Sequence, residues 1–547
     1  MGKRFRRAAC AVLASIVALP LAAVATQTVC SITVNSTDER ETFRRNLPAD
    51  EFDFVELVEH GRPDWLRSAC ERRVRCDVLV VSGHFAGTEF YSSSPGTDET
   101  LPVDELERAS CGACPRLFAH LKAVYLFGCD SLRAEAPQSA APEIVRGLVA
   151  AGEPRGEAER AVRALSERVG EDARDRMRRI FAGVPVIYGF SSLAPYGRAA
   201  GPLLQRYFDG AAAGEVASGR ASERLLALFG PSSMVATRGI APGDPDADYR
   251  GEACRYYGAP TAAAKLTELR RELSGDMPHV RMAFDRAEKF FATLGAADRA
   301  DPAFAAALHG MALDGAARSR YLAIERATQD AALRVRMIAL AREIGWLSEA
   351  ERQAELGRTI ADLLARRSMG FGDVGLVCTL GGNSALERVE GEVRQPRELR
   401  DAPAQSAGLA CLGDAAARLR VLRLLASSRE SDVQVAEAYL RHRPVTDPAE
   451  LRALSTAVAA MKPGAAQVRA LGALARLHIA DRAALERLAA LFARTPSLAV
   501  QRAIAEVFLR SDPQALESAR LVRVLREHRL RSPDGEDLID VLVRRLS

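Results

Sequence analysis

Two short segments carry residue types that could do chemistry. DVLVVSGHF (residues 77–85) and AVYLFGCDS (residues 123–131) each run through an apolar stretch to a small residue and then a reactive one, His84 and Cys129. An apolar run of five or six residues bounded by turn residues has the pattern of a strand buried on both faces, as in a parallel sheet. His84 and Cys129 then fall just past the carboxyl ends of two strands, where open α/β sheets place their ligands. A base and a thiol at one sheet edge are the minimum for nucleophilic acyl transfer. Each residue alone has an ordinary structural reading, since an unpaired cysteine packs readily in a core and a histidine at a strand end can bond a carbonyl. Their matched settings favour a catalytic pair. His60-Gly61 follows the alternating run FDFVELV (residues 52–58) with no cysteine in register, and reads as structural. His279, His309, His442, His478 and His528 are scattered through helical sequence and carry no motif.

The elements that must position the pair alternate between strand and helix. CSITV (30–34) reads as a strand, and Asp38 with Glu41 resembles a capping box opening a helix to Leu47. FDFVELV reads as a strand nearer an edge, followed by a helix from Pro63 to about Arg73. A small hairpin and a short helix (101–109) separate the two reactive strands. Beyond Cys129 come a helical stretch (141–182), a third buried strand VPVIYG (184–189) and a helix at about 200–211. Such alternation means βαβ units and a mainly parallel sheet. The segment APGDPDADYRG (241–251) interrupts it and marks a boundary between an α/β domain (26–250) and an all-helical one (251–547).

The helical part holds a loose repeat. Val335-Arg336, Leu419-Arg420, Val468-Arg469 and Val500-Gln501 occupy similar places in Ala-rich helices that open on Asp, Pro or Thr. Such helix pairs bury their faces against neighbours and stack into a solenoid. The pattern resembles HEAT repeats; a non-repetitive bundle is the alternative. The polar run 391–408 reads as a loop interrupting the stack.

The order of features around the pair resembles the caspase-like cysteine peptidases, the superfamily of caspases, gingipains, separase and CHAT-domain proteases. There, a strand ending in a small residue and His is followed by a hairpin and a helix, and the next strand ends in Ala or Gly, then Cys. The spacing of 45 residues between His84 and Cys129 suits that family. The resemblance implies a caspase-like α/β fold and an endopeptidase in which Cys129 attacks the peptide carbonyl. His84 would transfer protons, and the backbone N–H groups of Phe85 and Cys129 would hold the oxyanion. Phe85 departs from the family, which usually has Gly there; a left-handed backbone at that point would be costly for Phe. Asp130 and the loop GFSSLAPYG (189–197), including Ser191, are candidates for the substrate pocket, with a basic residue before the cut. No metal or cofactor is implied. The alternative is a non-catalytic periplasmic binding scaffold with a degenerate caspase-like domain, Phe85 being the sign of decay. In either reading the helical repeats would bind a substrate or partner protein.

Composition narrows the setting. The net charge of +4 comes from 75 basic and 71 acidic residues, and Lys3, Arg4, Arg6 and Arg7 supply the whole excess, so there is no global case for a nucleic-acid partner. Those four charges precede an apolar stretch (8–25) that closes on Ala23-Val24-Ala25, the pattern of a cleaved export signal. An uncleaved anchor is the alternative, weakened by Pro20. After cleavage no membrane span remains, and the expected location is periplasmic or secreted. Nine cysteines stay in the mature chain, an odd number, and Cys129 is the candidate for the thiol left over in an oxidising compartment. Cys111 and Cys114 have zinc-like spacing, but only the loosely placed Cys70, Cys76 and His120 could complete a site, so a local disulfide or unpaired thiols is favoured.

Cleavage at this signal should leave Thr26 as the first residue. N-terminal sequencing of the chain from its native source checks this, and an intact Met1 on the soluble protein would contradict it.

Overall fold

The computed structural model describes residues 26–34, 37–57, 66–87, 89–92, 100–134, 173–195, 197–210, 213–244, 247–367, 369–381, 402–531 and 537–547. The expected export signal, His60 and most of the helical stretch 141–182 lie outside them. The described residues of Met1–Asp285 and Leu294–Ala305 form one compact unit, and those of Arg286–Thr293 and Ala306–Ser547 form another.

The first unit is built on six strands in the order β2-β1-β3-β7-β8-β9. They are β1 (Gln27–Thr33), β2 (Phe52–Glu56), β3 (Val78–Ser82), β7 (Ala123–Phe127), β8 (Val186–Phe190) and β9 (Met234–Thr237). All adjacent pairs are parallel except β8 with the edge strand β9. β3 and β7 are buried at every position, which matches their unbroken apolar sequence. Alternate residues feed two cores. Val78, Val80, Tyr125 and Phe127 face one, with Phe43 and Leu204; Leu79, Val81, Val124 and Leu126 face the other, with Met177 and Ile180.

Helices α1 (Asp38–Asn46) and a later helix, Gly197–Phe208, cover the first face and pack on each other. The short helix α2 (Arg67–Glu71), α3 (Val103–Arg108) and α4 (Ala173–Ile180) cover the second. The helix Gly197–Phe208 is α5. Thr37, rather than Asp38, stands at the N-cap of α1, with no side-chain cap bond. The small sheet β4 (His84–Phe85), β5 (Glu89–Tyr91), β6 (Thr100–Pro102) follows directly on β3 as antiparallel strands.

Four disulfides join Cys30–Cys76, Cys70–Cys114, Cys111–Cys254 and Cys378–Cys411. The local pairing or unpaired thiols expected for Cys111 and Cys114 are therefore corrected. The chain reverses at Gly112 (φ 117°), and each thiol meets a partner from a distant segment. Helix α6 (Ala247–Gly258) carries Cys254 and is further held by Arg250, which donates to the Ser110 hydroxyl and to the Arg179 carbonyl at 2.9 and 2.6 Å.

All regular structure described beyond β9 is helical. Its last part stacks in two rows. Helices α7 (Glu430–His442), α9 (Ala465–Ala475), α11 (Leu498–Arg510) and α13 (Leu538–Leu546) pack in succession. The alternate helices α8 (Pro448–Ala459), α10 (Arg482–Arg494) and α12 (Ser518–His528) form the other row. The Val-Arg alignment does not mark equivalent sites in these helices. Val500 is fully buried, Val335 and Val468 are half-buried, and Leu419 is 57% exposed. Counted from the N-caps Asp330, Asp414, Gly464 and Ser497, Val335 and Leu419 stand at the same step, but Val468 comes one step earlier and Val500 two, so the four do not share one face.

What recurs is a buried polar residue bonded nine positions back. Arg334 donates to the Glu325 carboxylate, Gln467 to the Val458 carbonyl and Gln501 to the Phe492 carbonyl. The polar run at 391–408 is also corrected. Residues 403–408 belong to the helix Pro403–Cys411, with Ala404, Gln405, Ser406 and Ala407 buried; 391–401 lie outside the described residues. Among the described residues no helix is long and apolar enough to cross a membrane.

Gln501 also donates to the His528 carbonyl at 2.8 Å and accepts the Leu530 N–H at 2.9 Å. Gln501→Ala should leave buried backbone groups unpaired and cost about 2–4 kcal/mol, read by denaturant unfolding of the whole chain. A loss below about 0.5 kcal/mol would show that these bonds do not tie the stack together.

Candidate active site

The register of β3 against β7 positions the two reactive residues. Ser82 stands opposite Phe127, and the Gly83 N–H donates to the Phe127 carbonyl at 3.2 Å, so the match continues past the strand ends. Gly83 is then opposite Gly128, and His84 opposite Cys129. By strand alternation both reactive side chains leave the sheet on the face covered by α1 and α5. His84 and Cys129 line one crevice of about 140 Å³, together with Glu39, Gly83, Phe127, Gly128, Leu193, Ala194, Pro195 and Gly197. The sheet order also places a topological switch between β1 and β3, and the crevice lies at the carboxyl ends of β3 and β7, where such sheets bind ligands.

Two glycines allow the approach. A Cβ on Gly128 would come within 2.9 Å of both the Gly83 carbonyl oxygen and the Phe85 Cβ. A Cβ on Gly83 would meet the Val34 Cβ at 3.0 Å. The small residue before each reactive one therefore has a steric reason.

Cys129 begins a tight turn pinned to the end of β8. The Asp130 N–H donates to the Ser192 carbonyl at 2.7 Å and the Leu132 N–H to the Phe190 carbonyl at 3.0 Å. The buried Ser131 hydroxyl accepts the Phe190 N–H. Asp130 adopts a left-handed backbone (φ 57°), which Asp tolerates. Cys129 is half-buried, and its sulfur accepts the Ala194 N–H at 3.3 Å. It is the one free thiol among the described cysteines. The His84 ring packs against Tyr91, its cross-strand neighbour on β5, with centroids 5.3 Å apart.

Phe85 takes an ordinary strand backbone and is not among the residues with positive φ. Its ring is buried against Phe90 in the opposite core, so its bulk stays out of the crevice. The Ala86 N–H bonds the Glu89 carbonyl, making that a hydrogen-bonded pair of the hairpin. Phe85 and Phe90 are then a non-bonded pair, and the Phe85 N–H points away from β5.

The loop 189–197 contributes Leu193, Ala194, Pro195 and Gly197 to the crevice, but Asp130 and Ser191 sit elsewhere. Asp130 is 42% exposed, 3.8 Å from Arg133. Ser191 is fastened to Ser233, both its N–H and its hydroxyl donating to that carbonyl. Neither belongs to the crevice lining, whereas Glu39, which the sequence pattern did not single out, does. An acid in the first turn of a helix is commonplace; only its place after β1, on the same sheet edge, could have flagged it. Among the described residues no cluster of His, Cys, Asp and Glu could hold a metal ion.

Gly128→Ala should push the β4 hairpin away from the Cys129 turn and destabilise the chain by about 1–3 kcal/mol. It should also slow alkylation of Cys129 by a peptidyl electrophile more than alkylation by iodoacetamide. Unchanged stability and labelling would show that the close approach is relieved by side-chain motion alone. Comparison of the chain with protein-family models, with curated proteins and with solved structures finds no match.

Proposed function

We propose that the chain is an exported cysteine endopeptidase of caspase-like type, working through a His84–Cys129 dyad. The observation that carries the reading is the β3–β7 register, which delivers an imidazole and the unpaired thiol to one crevice. His84 takes the Cys129 proton, the thiolate attacks the scissile carbonyl, and the protonated imidazole returns the proton to the leaving amine. Water then hydrolyses the thioester, with His84 as its base. The Cys129 N–H and the Phe85 N–H, directed away from β5, are the candidates to hold the oxyanion. The buried, unstrained Phe85 weakens the argument that this position marks decay.

Four disulfides support an oxidising compartment and hence export to a periplasm or medium. The two-row stack supports a HEAT-like solenoid that binds a protein partner or substrate.

The test is titration of the mature chain with a thiol-directed peptide electrophile, alongside hydrolysis of a broad peptide library. Stoichiometric labelling of Cys129 is expected, slowed about 10²–10⁴-fold by His84→Ala. Cys129→Ala should abolish hydrolysis while leaving the unfolding midpoint unchanged. No hydrolysis by the wild type, with labelling independent of His84, would replace the peptidase with the binding-scaffold reading.

A further inference from the structure

The crevice contains an acid that the dyad chemistry does not use. Glu39, in the first turn of α1, is 3% exposed and lines the same cavity as His84 and Cys129. It is held there by the end of β1, whose ladder continues when the Val34 N–H donates to the Ser82 carbonyl at 2.8 Å. The rest of the lining is largely apolar, with Phe127, Leu193 and Pro195, and among the described residues it holds no Lys, no Arg and no second carboxylate.

At about 140 Å³ the crevice approaches the roughly 150 Å³ that accepts a benzene-sized group, so it suits one side chain rather than a stretch of peptide. Arg and Lys combine an apolar stem, which matches the apolar walls, with a cationic head. Away from bulk water a carboxylate attracts such a head more strongly and repels an acidic one. We propose that this crevice receives the side chain just before the scissile bond, and that Glu39 makes it select Arg or Lys. The inference rests on the peptidase reading and gives the specificity role to Glu39 in place of Asp130.

The experiment compares kcat/KM for peptidyl amides that differ only at that position, using the full mature chain. Arg and Lys should exceed Leu by about tenfold or more, with Asp and Glu lowest. In Glu39→Gln the arginyl-to-leucyl ratio should fall about 10- to 100-fold. Iodoacetamide alkylation of Cys129 and the unfolding midpoint report whether that variant is folded. If it is not, the wild-type profile decides. A wild-type preference for apolar or acidic residues overturns the inference and leaves the peptidase standing. An arginyl preference retained in folded Glu39→Gln overturns the role of Glu39. Absence of hydrolysis across the whole library overturns the peptidase reading and this inference with it.

Discussion

The candidate site depends on one alignment, Ser82 of β3 beside Phe127 of β7. A slip of one residue would turn every side chain of one strand to the opposite face and send the imidazole and the thiol to different sides of the sheet. Two filled cores oppose that slip, because odd and even positions of both strands are already committed to separate clusters. At the strand ends the constraint passes from side chains to their absence. Gly83 and Gly128 let two backbones and the Phe85 Cβ crowd into a space with no room for another carbon. The sheet's interior thus sets the register, and the glycines carry it intact to the reactive residues.

Two of the disulfides, Cys30–Cys76 and Cys70–Cys114, lie on the other side of that sheet from the crevice. Cys30, Cys76 and Cys114 belong to the core beneath α2, α3 and α4, while Cys129 opens under α1 and α5. Thiol–disulfide exchange requires the attacking sulfur to reach the bond it breaks. A packed layer of strands separates Cys129 from these three paired cysteines, so a reactive thiol and a cross-linked core can coexist in one domain.

Much of this was legible in the sequence, and the gaps have physical causes. β3, β7 and β8 announce themselves because strands buried on both faces need unbroken apolar runs. β9 escapes because MVAT is a short edge strand whose last three residues are half-exposed. The helix Pro403–Cys411 hides in a sequence of Ala, Ser, Gly and Gln that looks like loop. It is stabilised by packing, as its seven buried residues indicate, rather than by propensity. Cysteine pairing is set by which segments meet in space, so the neighbours Cys111 and Cys114 could not reveal Cys254 and Cys70 as partners. Glu39 is a further case: its role as a wall of the crevice comes from the path of the chain after β1, not from any motif. In the helices, the recurring feature is a buried polar residue at a fixed reach from the preceding helix, and the aliphatic–arginine pairs obscure it.

The Cys111–Cys254 bond closes a ring of chain with a separation of 143 residues, and Cys129, β7, β8 and β9 all lie within it. Linear order and covalent order therefore differ for this domain. A single break in the backbone anywhere between Cys114 and Ala253 changes a ring into two arms on one cross-link, with no piece released. His84 and Cys129 would remain parts of one molecule after such a nick, and only reduction would divide it. Without reductant such a nick adds only the mass of one water, so gross molecular size says little about the integrity of the segment that carries the thiol.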